Sequence, residues 1–526
     1  MTLAPSNTDG TRSNEKDHFC CVGIGASAGG LAVLQEFFRS LPPEPGLAFL
    51  VAQHLDPTRP SETPALIQHH TSLEVTHASS GMRIRPNTVY ILPPGRYMTI
   101  EKGRVRLTPP TEPRGLRLPI DILFNSLAES IGERSIGLVL SGSGADGTLG
   151  LRAIKGAGGM TMAQDPATAE FDSMPRNAVA TGKVDFILPV SEMGRTIVDF
   201  ARHPYVTVNS TDSQTEARSI LHSAVTLLQA EGKMDFSSYK QVMLLRRIER
   251  RMGLRKVRSG SQYLKMLRSD PAELDALASD LLIQVSHFFR EPHSWTLLEQ
   301  NIIPQIIESN GENEPVRVWV AGCATGEEAY SVAILLLEAR EKAHRSFPIS
   351  VFASDVDRPS VDFARTGVYP ESIAIHVSSE RLQKFFQHDE HRYIVSQQLR
   401  DVVVFAQQNM LSDPPFSHLD LVCCRNVLIY LEPAMQSRVL ALFHFALKPD
   451  RFLFLGSSES TGIQKDLFKP LFNKSRLYVR LRSPRSSALR TLRDIPSLAP
   501  EGLLPPSIPR QEEQFLARIR GILLER

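Results

Sequence analysis

The 526-residue sequence predicts an α/β protein with two doubly wound sheet domains and a small all-helical domain between them. Three stretches lead to that class. HFCCVGIGASAGGLAVLQEFFRSL (18–41) and VRVWVAGCATGEEAYSVAILLLEA (316–339) each pass from an apolar β-rich run through a glycine turn into apolar residues at helical spacing. Between them DFSSYKQVMLLRRIERRMGLRKVRS (235–259) has a purely helical period. A chain of 526 residues exceeds one ordinary core, so two to four domains are expected.

Composition narrows the class further. Hydrophobic content of 42% and charged content of 22% are those of a globular protein, and a net charge of +2 gives no whole-chain signal for nucleic acid. No apolar run approaches the roughly 20 residues that span a bilayer, and the N-terminus has no signal-peptide core, so a cytoplasmic protein without membrane insertion is expected. The five cysteines form no C-x-x-C, which reads as reduced structural thiols and no metal site.

The turn at 322–328 carries the first chemistry. Gly322 and Gly326 allow close approach of a ligand to the backbone, but Glu327 and Glu328 would repel a phosphate. The next strand, FPISVFASDVD, ends in Asp355, where a ribose-binding acid falls in nucleotide folds, and HLDLVCCRNVLIYL ends near Arg425 and Asn426. A cationic, hydroxyl-rich methyl donor, S-adenosylmethionine, fits this set: the turn around its amino-acid moiety, Asp355 on the ribose, Asn426 and Val427 nearby.

With GCATGEEAYS, SHFFREP, ASDVD, QQNML and CCRNVLIYL in this order, the segment from Asp235 to Arg482 resembles the CheR-type chemoreceptor glutamate methyltransferases. The resemblance implies donor contacts from Gln284, Ser286, Arg290, Gly322, Asp355, Asn409, Met410, Asn426 and Val427, and from Glu327 or Glu328, the second being expected closer. Gln284 stands where members often have Asn, and Ser286 where they usually have Thr. Arg290 is further expected to orient the target carboxylate.

In the N-terminal domain the glycine turn is open to two readings. Gly23-x-Gly25 with Gly29-Gly30 is a loose dinucleotide fingerprint out of register, whereas Gly25-Ala26-Ser27-Ala28-Gly29 is a literal G-x-S-x-G elbow. The neighbouring strands favour the elbow, since GLAFLVAQHLDP ends at His54 and SIGLVLSGSGADGTLG ends in a loop bearing Asp146. Strand ends in an open α/β sheet converge on one crevice, and hydroxyl, imidazole and carboxylate are the types a nucleophilic triad needs. Helix-start amides, or the loop at Ser143 and Gly144, are placed to hold an oxyanion. GIGASAGG, VAQHL, LSGSGADGTLGL and AQDPATAEFDSMPRNAV resemble the catalytic domain of CheB-type protein-glutamate methylesterases over about residues 18–200. The resemblance assigns the nucleophile to Ser27, the base to His54 and the acid to Asp146. Ala28 replaces a common Thr and Ser143 a common Met. Many such esterases carry a receiver domain ahead of the catalytic one, whereas 17 polar residues, expected to be disordered, stand there in this sequence.

The expected divisions are residues 18–200 for the esterase, 201–216 for a linker, 217–285 for the helical subdomain and 286–482 for the transferase sheet domain. Residues 483–510 read as a disordered Pro/Ser-rich tail and 511–526 as an amphipathic helix for oligomerisation or continuation into a sensor module. Lys240 to Arg258 holds eight basic residues and one acid, so Arg246, Arg247, Arg250 and Arg251 are expected to bind an acidic helical substrate. The basic run lacks the aromatic interleaving of a nucleic-acid site. The reading is a bifunctional enzyme that methylates glutamates of chemoreceptor-like helical proteins and hydrolyses the resulting esters, with sensor or kinase partners. A non-catalytic scaffold and a nicotinamide oxidoreductase are the alternatives, the latter disfavoured by Gln53-His54 where an acid should end the second strand.

Overall fold

The computed structural model describes residues 19–54, 62–110, 112, 117–207, 214–282, 286–311, 314–389, 392–462, 464–472 and 476–482. Residues 1–17, Gln284, the 483–510 tail and the 511–526 helix lie outside the described residues.

Among the described residues the N-terminal domain contains nine strands in chain order: β1 (Cys21–Ala26), β2 (Ala48–Gln53), β3 (Glu74–His77), β4 (Thr88–Ile91), β5 (Tyr97–Glu101), β6 (Arg104–Thr108), β7 (Ser135–Val139), β8 (Met160–Gln164) and β9 (Phe186–Leu188). Seven form a parallel sheet in the order β3-β4-β2-β1-β7-β8-β9, while β5 and β6 pair as a separate hairpin. The two central strands β1 and β7 are buried throughout, as expected of a sheet covered on both faces. The two glycines of β1 serve packing: a Cβ at Gly23 would stand 2.5 Å from Leu127 Cδ1, and one at Gly25 2.4 Å from Ile120 Cγ2. Helix Pro119–Ile131 therefore lies directly on β1. Those glycines need no dinucleotide to explain them.

The middle of the chain folds as helices Gln214–Ala230, Gln241–Leu254, Gly260–Ser269 and Pro271–Leu281 around Leu228, Phe236, Ile248, Tyr263 and Leu277. The basic helix begins at Gln241 with no side-chain cap; Asp235 instead accepts from Ser237 N (2.8 Å) in the preceding turn.

The C-terminal domain continues with β10 (Val316–Ala321), β11 (Ile349–Asp355), β12 (Val368–Pro370), β13 (Phe386–Asp389), β14 (Arg392–Val395), β15 (Val403–Gln407), β16 (Leu419–Cys424), β17 (Leu447–Leu455), β18 (Phe468–Pro470) and β19 (Leu477–Arg480). Its main sheet runs β15-β11-β10-β16-β17-β19-β18, parallel up to β17 and antiparallel beyond. Strands β12, β14 and β13 make a small antiparallel sheet between β11 and β16 in the chain, and β15 joins the main sheet.

Two expectations change where the domains meet. Within the expected linker, Pro204–Thr207 is a short helix; buried Tyr205 donates to Gly158 O (3.0 Å), and His203 Nε2 bonds Val257 O (2.9 Å). Residues 208–213 lie outside the described ones. The second change concerns the four arginines expected to face a substrate, which face the protein instead. Arg246 pairs with Glu133 (Nε to Oε1 3.0 Å), and Arg247 donates to Lys155 O (3.0 Å) and Gly156 O at the C-terminal end of helix Thr148–Gly156. Arg251 pairs with Glu273 (2.9 Å) inside the helical subdomain. Arg250, fully buried, donates to Gly159 O (3.1 Å) and Asp185 (2.5 Å) of the N-terminal domain and to Asp280 of the helical subdomain. Burial alone would raise the Asp185 pKa, but Arg250 and Lys155 hold it well below the usual carboxylate range. The physical reason for the change is that a helix with charge on several sides satisfies itself against whichever acids and carbonyls pack beside it. Arg250, with no exposed surface, steers nothing in solution, and Arg246, 29% exposed, is already paired.

Breaking a buried pair from one side leaves its partners charged and unsolvated. Arg250→Met should therefore lower unfolding free energy by about 3–5 kcal/mol. Urea unfolding monitored by circular dichroism measures this, and a midpoint equal to wild type would show that the cluster does not hold the domains.

Candidate functional sites

The first site lies where β1, β2 and β7 end together in the parallel sheet. Ser27 follows β1 in a tight turn whose Gly29 adopts φ 69° before helix Gly30–Ser40 begins. Its N–H donates to Ser141 O (3.0 Å), pinning the turn to the loop after β7. That loop needs Gly142, since a Cβ there would come within 2.7 Å of Ser27 Cβ. His54, just past β2, places Nδ1 3.2 Å from Ser27 Oγ and Nε2 2.9 Å from Asp146 Oδ2. The ring nitrogens are exchanged relative to the serine-protease template, but the logic is the same: Nε2–H donates to the carboxylate, which leaves Nδ1 free to accept the serine proton. Asp146 is 2% exposed and accepts from the backbone of Ile120 (3.0 Å) and Asp121 (2.8 Å) at the first turn of helix Pro119–Ile131. The helix N-terminus thereby stabilises a buried anion.

Sequence reasoning missed Asp121. It is fully buried; its Oδ1 accepts from Gly150 N (2.7 Å), while Oδ2 has no partner among the described residues. Burial, then the neighbouring Asp146 charge, push its pKa well above the ordinary value. No sequence signal distinguishes it from an ordinary first-turn acid. Of the two expected oxyanion donors, Gly144 N donates to Ser173 Oγ (3.3 Å), so that amide is engaged elsewhere. The Ser143 amide has no partner among the described residues.

The second site lies at the ends of β10, β11, β15 and β16, with β10 central. A cavity of about 1000 Å³, solvent at its mouth included, is lined by Ser286, Arg290, Gly322, Glu328, Asp355, Asn409, Met410, Asn426 and Val427, all singled out in the sequence. Gly322 has φ 75°, and a Cβ there would stand 2.5 Å from Val427 Cγ2, so only glycine leaves room. Asp355 accepts from Ala324 N (2.8 Å) and Asp357 N (2.9 Å), and burial raises its pKa. Glu328 is pushed up to about 7, chiefly by burial, with Arg425 at 3.5 Å acting the other way.

Two expectations fail here. Glu327 does not line the cavity: it turns away and pairs with Arg152 of the N-terminal domain (3.1 Å). Gly326 serves the fold rather than a ligand, with φ 94° and a Cβ position 2.8 Å from Ala364 Cβ. Arg425, which the sequence places at its strand end without assigning it a contact, proves central to the wall. Its guanidinium stacks over Trp295 and Phe454 (5.3 and 4.6 Å) and donates to Glu291 (2.9 Å) and Arg290 O (2.8 Å). Glu459, also missed, accepts from the amides of Asn426 (2.9 Å), Val427 (2.8 Å), Leu428 (2.7 Å) and Gly456 (2.7 Å), fixing the loop that closes the cavity. Arg425 adjoins the expected Asn426, a positional cue at the strand end; Glu459 has none, because its role is set by a loop some 30 residues earlier.

The cavity's chemistry suits a cation bearing hydroxyls: two carboxylates, arginine-ordered walls and a backbone that a Cβ would obstruct. Among the described residues there is no helix long and apolar enough to cross a membrane.

Comparison with known proteins finds a family for each part of the chain. The CheB methylesterase family matches residues 22–197, the all-alpha domain of CheR methyltransferases residues 221–282, and the CheR S-adenosylmethionine-binding domain residues 284–477. An uncharacterised 104.1 kDa protein of Rhodobacter capsulatus is 38% identical over 80% of this chain, and the chain spans 46% of that relative's length. A putative methyltransferase of Pseudomonas putida is 34% identical over 46% of this chain and 90% of its own. A protein-glutamate methylesterase/protein-glutamine glutaminase of Myxococcus xanthus is 37% identical over 34% of this chain and 54% of its own. With a nucleophile–imidazole–carboxylate array on one sheet and an acid-lined donor cavity on the other, the chain belongs to the CheR chemotaxis methyltransferases and carries a CheB methylesterase domain ahead of them.

Proposed function

We propose that this chain both methylates glutamate side chains of chemoreceptor-like helical proteins and hydrolyses the resulting methyl esters. The observation that carries the reading is the presence of two assembled sites of opposite chemistry in one chain. S-adenosylmethionine supplies an electrophilic methyl group when bound. Arg290, at the cavity wall, orients the incoming carboxylate, while Asp355 and Glu328 hold the donor's hydroxyl and cationic ends. A glutamate with pKa about 4.3 is already ionised at neutral pH, so alignment and desolvation are what the site must provide. In the esterase half Ser27 Oγ attacks the ester carbonyl as His54 Nδ1 takes its proton; the proton passes to the leaving methanol, and water then releases the carboxylate by the same route.

Glu328 makes the donor site pH-sensitive. A cationic ligand favours the ionised form of a carboxyl whose pKa is about 7 before binding, so binding releases a proton below that pH. Affinity for S-adenosylmethionine should rise from pH 6 to 7.5 and then level, by up to about tenfold per unit on the acid side. Calorimetric titration across that range checks it, and Glu328→Gln should bind more weakly with a flat profile. A wild-type profile as flat as the variant's would remove Glu328 from the donor contacts.

The cycle itself is tested with Ser27→Ala. The lost hydroxyl should reduce ester hydrolysis by several orders of magnitude, because a triad fails as a unit. With methyl-labelled donor and a receptor substrate, methanol release should stop and steady-state methyl content rise. Methanol release that persists would displace Ser27; unchanged methyl content would mean that the two halves act on different glutamates.

A further inference from the structure

The turn that forms the floor of the donor cavity is clamped from outside by a residue of the esterase domain. Arg152, on helix Thr148–Gly156, is 7% exposed; its Nη1 donates to Glu327 Oε1 (3.1 Å) and its Nη2 to Thr325 Oγ1 (2.5 Å). Thr325 Oγ1 in turn donates to Glu327 (2.7 Å). All three side chains are buried. We infer that Arg152 is a positioning residue for methyl transfer, supplied by the esterase half to hold the donor-binding turn in shape.

The turn needs holding. Gly322, Ala324 and Gly326 all have positive φ, and at 45° Ala324 occupies a region that costs a non-glycine residue about 1–3 kcal/mol and persists only where its surroundings over-determine it. Several ties come from the transferase domain: Gly322 N and Cys323 N donate to Ser354 O (2.8 and 3.0 Å), Ala324 N to Asp355, and Tyr369 O–H to Thr325 O (2.7 Å). These fix the backbone. They do not decide where the adjacent carboxylates of Glu327 and Glu328 go. Both sit in the first turn of helix Glu327–Lys342, and two like charges side by side repel. The structure sorts them to opposite sides, Glu327 to Arg152 on the esterase face and Glu328 to Arg425 on the cavity face. Without Arg152, Glu327 would be a buried anion with no cation, and its relief by rotating toward the cavity or toward solvent moves the same turn that carries Ala324 and Glu328.

The inference rests on the donor reading of the cavity, and the experiment separates the two. In the full chain, the affinity for S-adenosylhomocysteine and the kcat and KM for S-adenosylmethionine are measured for wild type, Arg152→Met, Arg152→Lys and the double variant Arg152→Met/Glu327→Gln. Arg152→Met should weaken S-adenosylhomocysteine binding and raise donor KM by about tenfold, with kcat at saturating donor within about twofold. Arg152→Lys, which keeps the charge, should recover most of the loss. So should the double variant, which removes the stranded anion together with its partner and remains informative if the single Met variant does not fold. Equal affinity in wild type and Arg152→Met overturns the inference, as does a fall in kcat with donor affinity intact. A wild type that binds neither compound overturns the donor reading beneath it.

Discussion

The guanidinium of Arg250 is the point on which the arrangement of the domains depends. It has no exposed surface, and its donors reach Asp185 and Gly159 O in the esterase and Asp280 in the helical subdomain. A buried ion pair is a poor source of net stability but a strict one of geometry, since any other docking would leave a charge unpaired in a dry interface. Lys155 adds a second cation to the same two acids, at 3.0 Å from Asp185 and 3.4 Å from Asp280. The surrounding contacts, Arg246 on Glu133 and Arg247 on the end of helix Thr148–Gly156, follow from that docking.

Helix Thr148–Gly156 thereby becomes common to both catalytic halves. Ahead of its first residue stand Asp146, which anchors the imidazole, and Gly147; its second turn sends Arg152 to the donor turn; its last carbonyls are capped by Arg247. Cations at a helix C-terminus complement its dipole, so the cap stabilises the helix as well as the interface. The two sites obey one rule of open parallel sheets, that ligands meet the chain at the carboxyl ends of the strands. Here β1 is the central strand of its sheet and β10 the middle one of the five parallel strands of the other, and each delivers its glycine turn to a crevice of its own.

Much of this was legible in the chain because it is local. A strand ending in a small-residue turn announces its own carboxyl end, so Ser27, His54 and Asp146 were placed together before any distance was known, as were Gly322, Asp355 and Asn426. What was illegible is set by partners far away in sequence. Arg250 and Gly159 are 91 residues apart, and Arg152 and Glu327 are 175 apart; nothing near either arginine indicates whether it will meet solvent or an acid. The basic helix accordingly read as a recognition surface and became an interface. Glu327 and Glu328, adjacent and identical in type, differ only because an arginine from another domain claims one of them. Asp121 escaped for a related reason, since its raised pKa depends on burial that only the folded helix supplies and on the neighbouring Asp146.

The central claim is that the esterase and transferase halves form one energetically coupled body. S-adenosylhomocysteine offered to the full chain tests it most directly, with heat inactivation of ester hydrolysis as the readout. A ligand that binds only the native transferase stabilises whatever unfolds together with it, by about 2.7 kcal/mol at a hundredfold excess over its dissociation constant. If the halves unfold as a unit, the temperature at which esterase activity is lost rises with ligand concentration, although the ligand never touches the triad. An esterase inactivation temperature that stays fixed while the transferase half is stabilised would contradict the account.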